Sequence, residues 1–230
     1  MHEAGVRNRI QAEGDAGRDA VVEQLRRARL VGVVRVDSAD LARQAAQALI
    51  RGGLGCVEIT LTTPGAARVI TDLADRYREN PDVLVGAGTV LTPDLARMAL
   101  DAGARFVVAP IAPDLAPVAR EYGAATILGA LTPTEIVAAR DKGADLVKVY
   151  PVSAVGGAQY FADILAPLPD LPLWAAGGTT VGEIGAYLRA GAQVVGLAGS
   201  VLPPVAVRAG DWTAVEALAR QAVANARGVS

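Results

Sequence analysis

An α/β chain closed into a (β/α)8 TIM barrel, with an extra N-terminal helix, is the fold class that the sequence predicts, on three observations. From Leu30 onward eight short β-branched runs alternate with stretches rich in Ala, Leu and Arg, the pattern of repeated βα units around a parallel sheet. The length of 230 residues is close to that of a barrel without insertions. No Pro/Ser-rich linker divides the chain, so residues 18–230 are expected to form one domain, with a doubly wound open sheet as the rival arrangement.

Taken in order, residues 1–17 are polar and charged and read as a flexible tail, and a helix at about 18–28 is placed to cover the bottom of the barrel. Strands are expected at 30–36, 55–61, 83–88, 105–109, 125–129, 145–150, 172–176 and 193–197. The connecting helices fall at 39–51, 65–79, 93–102, 114–122, 133–142, 159–165 and 181–190, and a helix at 212–226 closes the chain. Helix ends carry the residues that capping requires. Thr92-Pro93 and Thr132-Pro133 put a side-chain acceptor before a proline that has no N–H to satisfy, and Gly103, Gly143 and Gly191 terminate helices.

Hydrophobic residues make up 52% of the chain and aromatic ones only 4%, so the core must be built mainly from Val, Leu, Ile and Ala. A formal charge of −2 with no lysine- or arginine-rich block offers no footprint for nucleic acid. Cys56 is the only cysteine, which excludes an intrachain disulfide and a cysteine metal cluster and fits a cytoplasmic protein. No apolar signal region opens the chain and no uninterrupted apolar stretch of about 18 residues follows, so no membrane partner is expected. His2, the only histidine, lies in the tail and reads as a solvated residue rather than a catalyst or metal ligand.

The chemistry starts from lysine. Only two of the 22 basic residues are lysines, and one of them, Lys148, interrupts the apolar run Leu146-Val147-Lys148-Val149-Tyr150 ahead of Pro151. An ammonium in an apolar site loses hydration, which favours the free amine and its attack on a carbonyl. Lys148 is therefore a candidate Schiff-base nucleophile. The alternative is a lysine that snorkels to the strand end or partners a carboxylate.

Side chains alternate between the two faces of a strand. If Val147 and Val149 face the helices, Lys148 faces the lumen. In the second strand Val57, Ile59 and Leu61 form the helix-facing set, which turns Glu58, Thr60 and Thr62 inward. Both strands are even-numbered and barrel layers draw on alternate strands, so Glu58 and Lys148 are expected in one region of the lumen. Arg35, on the side of Val33, adds a third charge. A buried Arg–Glu–Lys network can satisfy itself, but it costs desolvation and contributes little stability, which favours a chemical role. After the seventh strand comes Ala176-Gly177-Gly178 and after the eighth Gly199-Ser200. These two loops hold phosphate in many barrels, through backbone N–H groups and a hydroxyl.

Val57-Glu58-Ile59-Thr60-Leu61-Thr62, Gly86-Ala87-Gly88-Thr89-Val90-Leu91, Lys148-Val149-Tyr150-Pro151, Ala176-Gly177-Gly178 and Gly199-Ser200 occur in the order and spacing of the 2-keto-3-deoxy-6-phosphogluconate aldolases. The chain resembles this family from about Val31 to its C-terminus, and Ser153-Ala154 and Gln159-Tyr160 extend the match. The family includes the corresponding phosphogalactonate and 4-hydroxy-2-oxoglutarate aldolases. The resemblance implies a class I (β/α)8 enzyme without metal or other cofactor, assembled as a homotrimer. It implies Lys148 as the Schiff-base lysine and Glu58 as the acid/base. Thr89 and Pro110 would line the pyruvate pocket, and Gly177, Gly178, Gly199 and Ser200 would hold phosphate.

Some positions depart from the family's commonest pattern. Thr62 stands where several members carry an arginine for the substrate carboxylate, and Arg35 is similar to the arginine that takes this role in members with Thr or Asn there. Ala176 replaces a threonine that helps to recognise the C4 hydroxyl in gluconate-type enzymes. Tyr150 stands where phenylalanine is common, and Ala158 where proline is frequent. The function implied is cleavage of a phosphorylated keto-deoxy sugar acid to pyruvate and glyceraldehyde 3-phosphate, with 4-hydroxy-2-oxoglutarate as a further substrate. Two other readings stay open on the residues: a non-covalent phosphosugar isomerase or epimerase, and a non-catalytic phosphosugar-binding barrel.

Overall fold

The computed structural model describes the backbone of residues 2–229 and the side chains of residues 14–229. Eight parallel strands close into a barrel in chain order: β1 Leu30–Val34, β2 Cys56–Thr60, β3 Leu84–Gly88, β4 Phe106–Val108, β5 Ala125–Ala130, β6 Leu146–Val149, β7 Leu173–Ala175 and β8 Val194–Leu197. The last strand pairs with the first, Leu30 opposite Val195 and Gly32 opposite Leu197, so the open-sheet alternative is excluded. The helices are α1 His2–Ala28, α2 Ala39–Arg51, α3 Ala66–Arg76, α4 Pro93–Asp101, α5 Ala116–Glu121, α6 Pro133–Asp141, α7 Ala158–Leu165, α8 Ile184–Arg189, α9 Pro204–Ala209 and α10 Trp212–Arg227.

Three departures from the expected elements have local reasons. Helix α1 begins at His2 rather than near residue 18, so helix covers most of the stretch read as a tail; the side chain of His2 lies outside the described ones. The expected helix over 181–190 opens instead as a 3-10 turn, Val181–Glu183, held by a capping box between Thr180 and Glu183, before α8 begins. Helix α9, unpredicted, starts behind Pro203 with Pro204 in its first turn, where the missing N–H costs nothing. Elsewhere the caps act as expected: the Thr92 hydroxyl accepts from Leu95 N, and Thr132 forms a capping box with Glu135.

The core has two layers. Outward-facing strand residues, among them Val57, Ile59, Val147, Val149 and Val195, pack against the helices. Inward-facing ones, including Val31, Phe106, Ile127, Leu146 and Trp174, fill the lumen together with Val21, Val22 and Leu25 of α1, which therefore plugs the bottom. Ion pairs fasten that plug: Arg18 lies 3.5 Å from Asp145 and Asp15 lies 3.4 Å from Arg120. Cys56 belongs to the lumen layer, where burial pushes its thiol up to about 12, and it packs as a small hydrophobe. Aromatic rings fit inside because glycine faces them. A side chain at Gly86 would strike the Phe106 ring, and one at Gly196 would strike the Trp174 indole.

Among the described residues no helix is long and apolar enough to cross a membrane.

Candidate active site

The inward row of β2 brings Glu58 into the lumen and that of β6 brings Lys148. Glu58 is fully buried, Lys148 is 7% exposed, and Nζ lies 3.9 Å from Oε1. That separation exceeds a direct hydrogen bond, yet one oxygen atom can bond to both groups across it. Neither carboxylate oxygen of Glu58 has a hydrogen-bond partner. Burial pushes the Glu58 carboxyl above its ordinary range; Lys148 first and then Arg35 pull it back. A carboxyl raised in this way, beside an amine, is placed to hold a proton and hand it on.

Backbone glycine creates this arrangement. Glu58 is registered opposite Gly86, with Thr60 opposite Gly88. Its side chain leans toward the mouth of the barrel until the carboxylate occupies the space where a Cβ on Gly88 would lie. On the other side, the Tyr150 ring centre is 5.5 Å from Nζ of Lys148. Tyr150 lies just beyond β6 and is 38% exposed, at the mouth.

Arg35 follows the end of β1 and is exposed; its Nη2 donates to Thr89 Oγ1 at 3.3 Å. Thr89 follows β3 with φ of 57°, a left-handed conformation that β-branched residues rarely take. Such strain persists where the surroundings enforce it, and here it turns the hydroxyl toward Arg35. Thr62 is exposed, 3.1 Å from the Thr60 hydroxyl, which in turn donates to the carbonyl of Val34. Through Thr60 the mouth ends of β1 and β2 are tied together. Pro110 follows β4, and Gly129 on β5 packs against its carbonyl group so closely that no side chain fits at 129.

The glycine loop after β7 meets the segment that follows the lysine. Gly177 and Gly178 have φ of 86° and 83°. Val152 N donates to Ala176 O at 2.9 Å and Ser153 N to Gly177 O at 3.1 Å, so pairing between β6 and β7 continues past the cis Tyr150–Pro151 bond. The Thr179 hydroxyl donates to Gly196 O and ties the loop after β7 to strand β8. Ser200 Oγ is buried without a hydrogen-bond partner, and open space lies over Gly199. All eleven residues singled out from the sequence thus lie at the strand C-terminal end, in β2 and β6 or in segments that follow strands. Two features escaped the sequence reading: the space that Gly88 leaves for Glu58, and Ser153 against Gly178. The alternation of glycine at 86 and 88 on the inward face of β3 was the available signal for the first.

A cavity of about 700 Å³ opens at the opposite end, lined in part by Arg27, Arg29 and Arg227. There Arg29 donates to the carbonyls of Ala226 and Val229. Arg27 and Arg227 sit in the last turns of α1 and α10, where a cation complements the helix dipole. Those charges serve helix ends, and the carboxylate–amine pair lies at the other mouth.

A closed barrel with a buried acid and a buried amine on its inner face, and glycine loops after β7 and β8, has the architecture of a barrel enzyme whose active site lies at the strand C-terminal mouth. The family model for KDPG and KHG aldolase matches residues 21–218, and the chain belongs to that family, as an aldolase of the lyase class. It is 34% identical over 203 residues to the 2-dehydro-3-deoxy-phosphogluconate aldolase of Treponema pallidum, covering 87% of this chain and 95% of that one. The fold matches the KDPG aldolase of Legionella pneumophila, whose crystal structure has pyruvate captured at low pH as a covalent carbinolamine; TM-score is 0.75 and identity 27%, over 84% of this chain and 92% of that one. It also matches the 2-keto-3-deoxy-6-phosphogluconate aldolase of Zymomonas mobilis ZM4 with 3-phosphoglycerate, at TM-score 0.76 and 30% identity, over 93% and 98% of the two chains.

Proposed function

We propose that the chain cleaves a 2-keto-3-deoxy-6-phospho sugar acid, of the gluconate or galactonate type, to pyruvate and glyceraldehyde 3-phosphate through a Schiff base on Lys148. Cleavage of 4-hydroxy-2-oxoglutarate belongs to the same reading. The observation that carries it is the 3.9 Å approach of Lys148 Nζ to a fully buried Glu58.

The free amine of Lys148 attacks the C2 ketone, and the ketone oxygen takes up a proton to give a carbinolamine. Glu58 donates a proton as that hydroxyl leaves as water, and a protonated imine remains. The Glu58 carboxylate then takes the C4 hydroxyl proton. The C3–C4 bond breaks, its electrons pass into the enamine, and the aldehyde departs. Glu58 returns the proton to C3, and water hydrolyses the resulting iminium to pyruvate and free lysine.

Arg35 pairs with the substrate carboxylate as a planar fork, held toward the site by its bond to Thr89. Thr89, Pro110, Thr62 and Tyr150 line the space around pyruvate. Gly177, Gly178, Gly199 and Ser200 take the phosphate, and the orphaned Ser200 hydroxyl supports that assignment. Ala176, by its resemblance, bears on the C4 configuration. A homotrimer in the cytoplasm completes the reading, and sedimentation analysis tests the assembly.

Borohydride reduction in the presence of pyruvate tests the nucleophile: a stable adduct is expected on Lys148, and labelling elsewhere or none refutes the assignment. A coupled pyruvate-release assay on the gluconate and galactonate phosphates side by side then assigns the substrate.

A further inference from the structure

Past the cis Tyr150–Pro151 bond the chain forms a 3-10 turn, Val152–Val155, that lies directly against the glycine loop after β7. Two backbone bonds lock it there, Val152 N to Ala176 O and Ser153 N to Gly177 O. Ser153 then turns its side chain onto Gly178. A Cβ built at position 178 would collide with both Cβ and Oγ of Ser153, so the serine occupies the space that a side chain at 178 would take. Ser153 is solvent-exposed. The loop at Gly177-Gly178 offers backbone but no side chain of its own, and Ser153 supplies the missing hydroxyl from the neighbouring strand end.

We infer that Ser153 is a third arm of the anion cradle, beside the Gly177-Gly178 loop and Ser200, and that it discriminates a phosphorylated keto-deoxy acid from a non-phosphorylated one. The inference rests on the phosphate assignment of the proposed function and adds a residue to it. Its chemistry suits the task. A hydroxyl rotates to donate to a phosphate oxygen. It carries no charge that would slow release of the phosphorylated product, and its backbone is fixed by the bond to Gly177. Ser153 belongs to the same short segment as Lys148, three residues beyond Tyr150, so phosphate contact and the reacting amine are held by one rigid strand end.

Kinetics of the wild type, Ser153→Ala and Ser153→Thr with the phosphorylated acid and with 4-hydroxy-2-oxoglutarate test this. Ser153→Ala is expected to raise KM for the phosphorylated acid roughly tenfold, the loss of one hydrogen bond to a charged group, with a much smaller change in kcat. KM for 4-hydroxy-2-oxoglutarate should not follow, and Ser153→Thr should restore the difference. If the two KM values rise together, or if neither moves, Ser153 has no part in phosphate recognition. Titration with inorganic phosphate, read by 31P line broadening, separates this outcome from failure of the aldolase reading. If the wild type forms no pyruvate adduct, the covalent mechanism falls, while equal phosphate affinity in wild type and Ser153→Ala overturns the role of Ser153 by itself.

Discussion

Gly88 and Glu58 compete for one volume: a Cβ on residue 88 would overlap the Glu58 carboxylate, so the acid reaches its place beside Lys148 because β3 carries no side chain there. Gly88→Ala should therefore leave the barrel closed while displacing the acid. The expected cost is ~1–3 kcal/mol of stability for overpacking. The expected loss of kcat is about 100-fold, as for removal of a general acid/base. Thermal unfolding and pyruvate release on the same preparation check both, and a variant at full rate would show that the carboxylate position is unimportant.

Glu58 also predicts how stability depends on pH. Because burial raises its carboxyl above the ordinary glutamate range, the folded chain still holds this proton at pH values where the unfolded chain has released it. Its contribution is then complete below the ordinary value of about 4.3, and it declines as pH rises through the raised one. Glu58→Gln has no such proton. Its Tm relative to wild type should climb across that window, while its kcat falls by about 100-fold or more. A Tm difference that stays flat with pH would argue against a raised carboxyl.

Arg35 reaches Thr89 through Nη2 at 3.3 Å. Arg35→Lys keeps the charge but loses the planar fork that fits a carboxylate. The pyruvate concentration for half-maximal borohydride trapping should rise about tenfold, with little change in the adduct formed at saturation. Equal half-saturation in both proteins would remove Arg35 from carboxylate binding.

Gly196 faces the Trp174 indole, and a Cβ there would come within 2.6 Å of Nε1. Gly196→Ala is expected to destabilise the fold by ~1–3 kcal/mol. At roughly 2–4 °C per kcal/mol for a chain of this size, differential scanning calorimetry resolves the change. Near-ultraviolet circular dichroism should report the displaced indole, and an unaltered Tm would mean that the lumen is less tightly packed than its geometry implies.

Much of the fold was legible because its signals are local. β-branched runs, threonine caps and terminating glycines recur once per βα unit, and each of the eight expected strands occurs within two residues of its bounds. The start of α1 was not legible, since the polar stretch before residue 18 carries no apolar stripe of the kind that marks a packed helix. Helix α9 was masked by Pro203-Pro204, which reads as a break although proline is accepted in a first turn. At the site, strand alternation alone pointed Glu58, Lys148 and Arg35 inward. It carried no information about Ser153, whose neighbour Gly178 is 25 positions away in sequence and becomes adjacent only when β6 and β7 pair.

By itself the sequence determined which residues face inward, because a period of two is a property of each strand taken alone. It also determined the helix starts that carry a capping threonine, at Thr92 and Thr132, because capping is a contact among near neighbours in the chain. Distances across the lumen belong to the tertiary structure. The 3.9 Å between Lys148 and Glu58, the space at Gly88 that admits the carboxylate, and the contact of Ser153 with Gly178 all depend on barrel closure and on the stagger between strands, which arise from the packing of the whole ring.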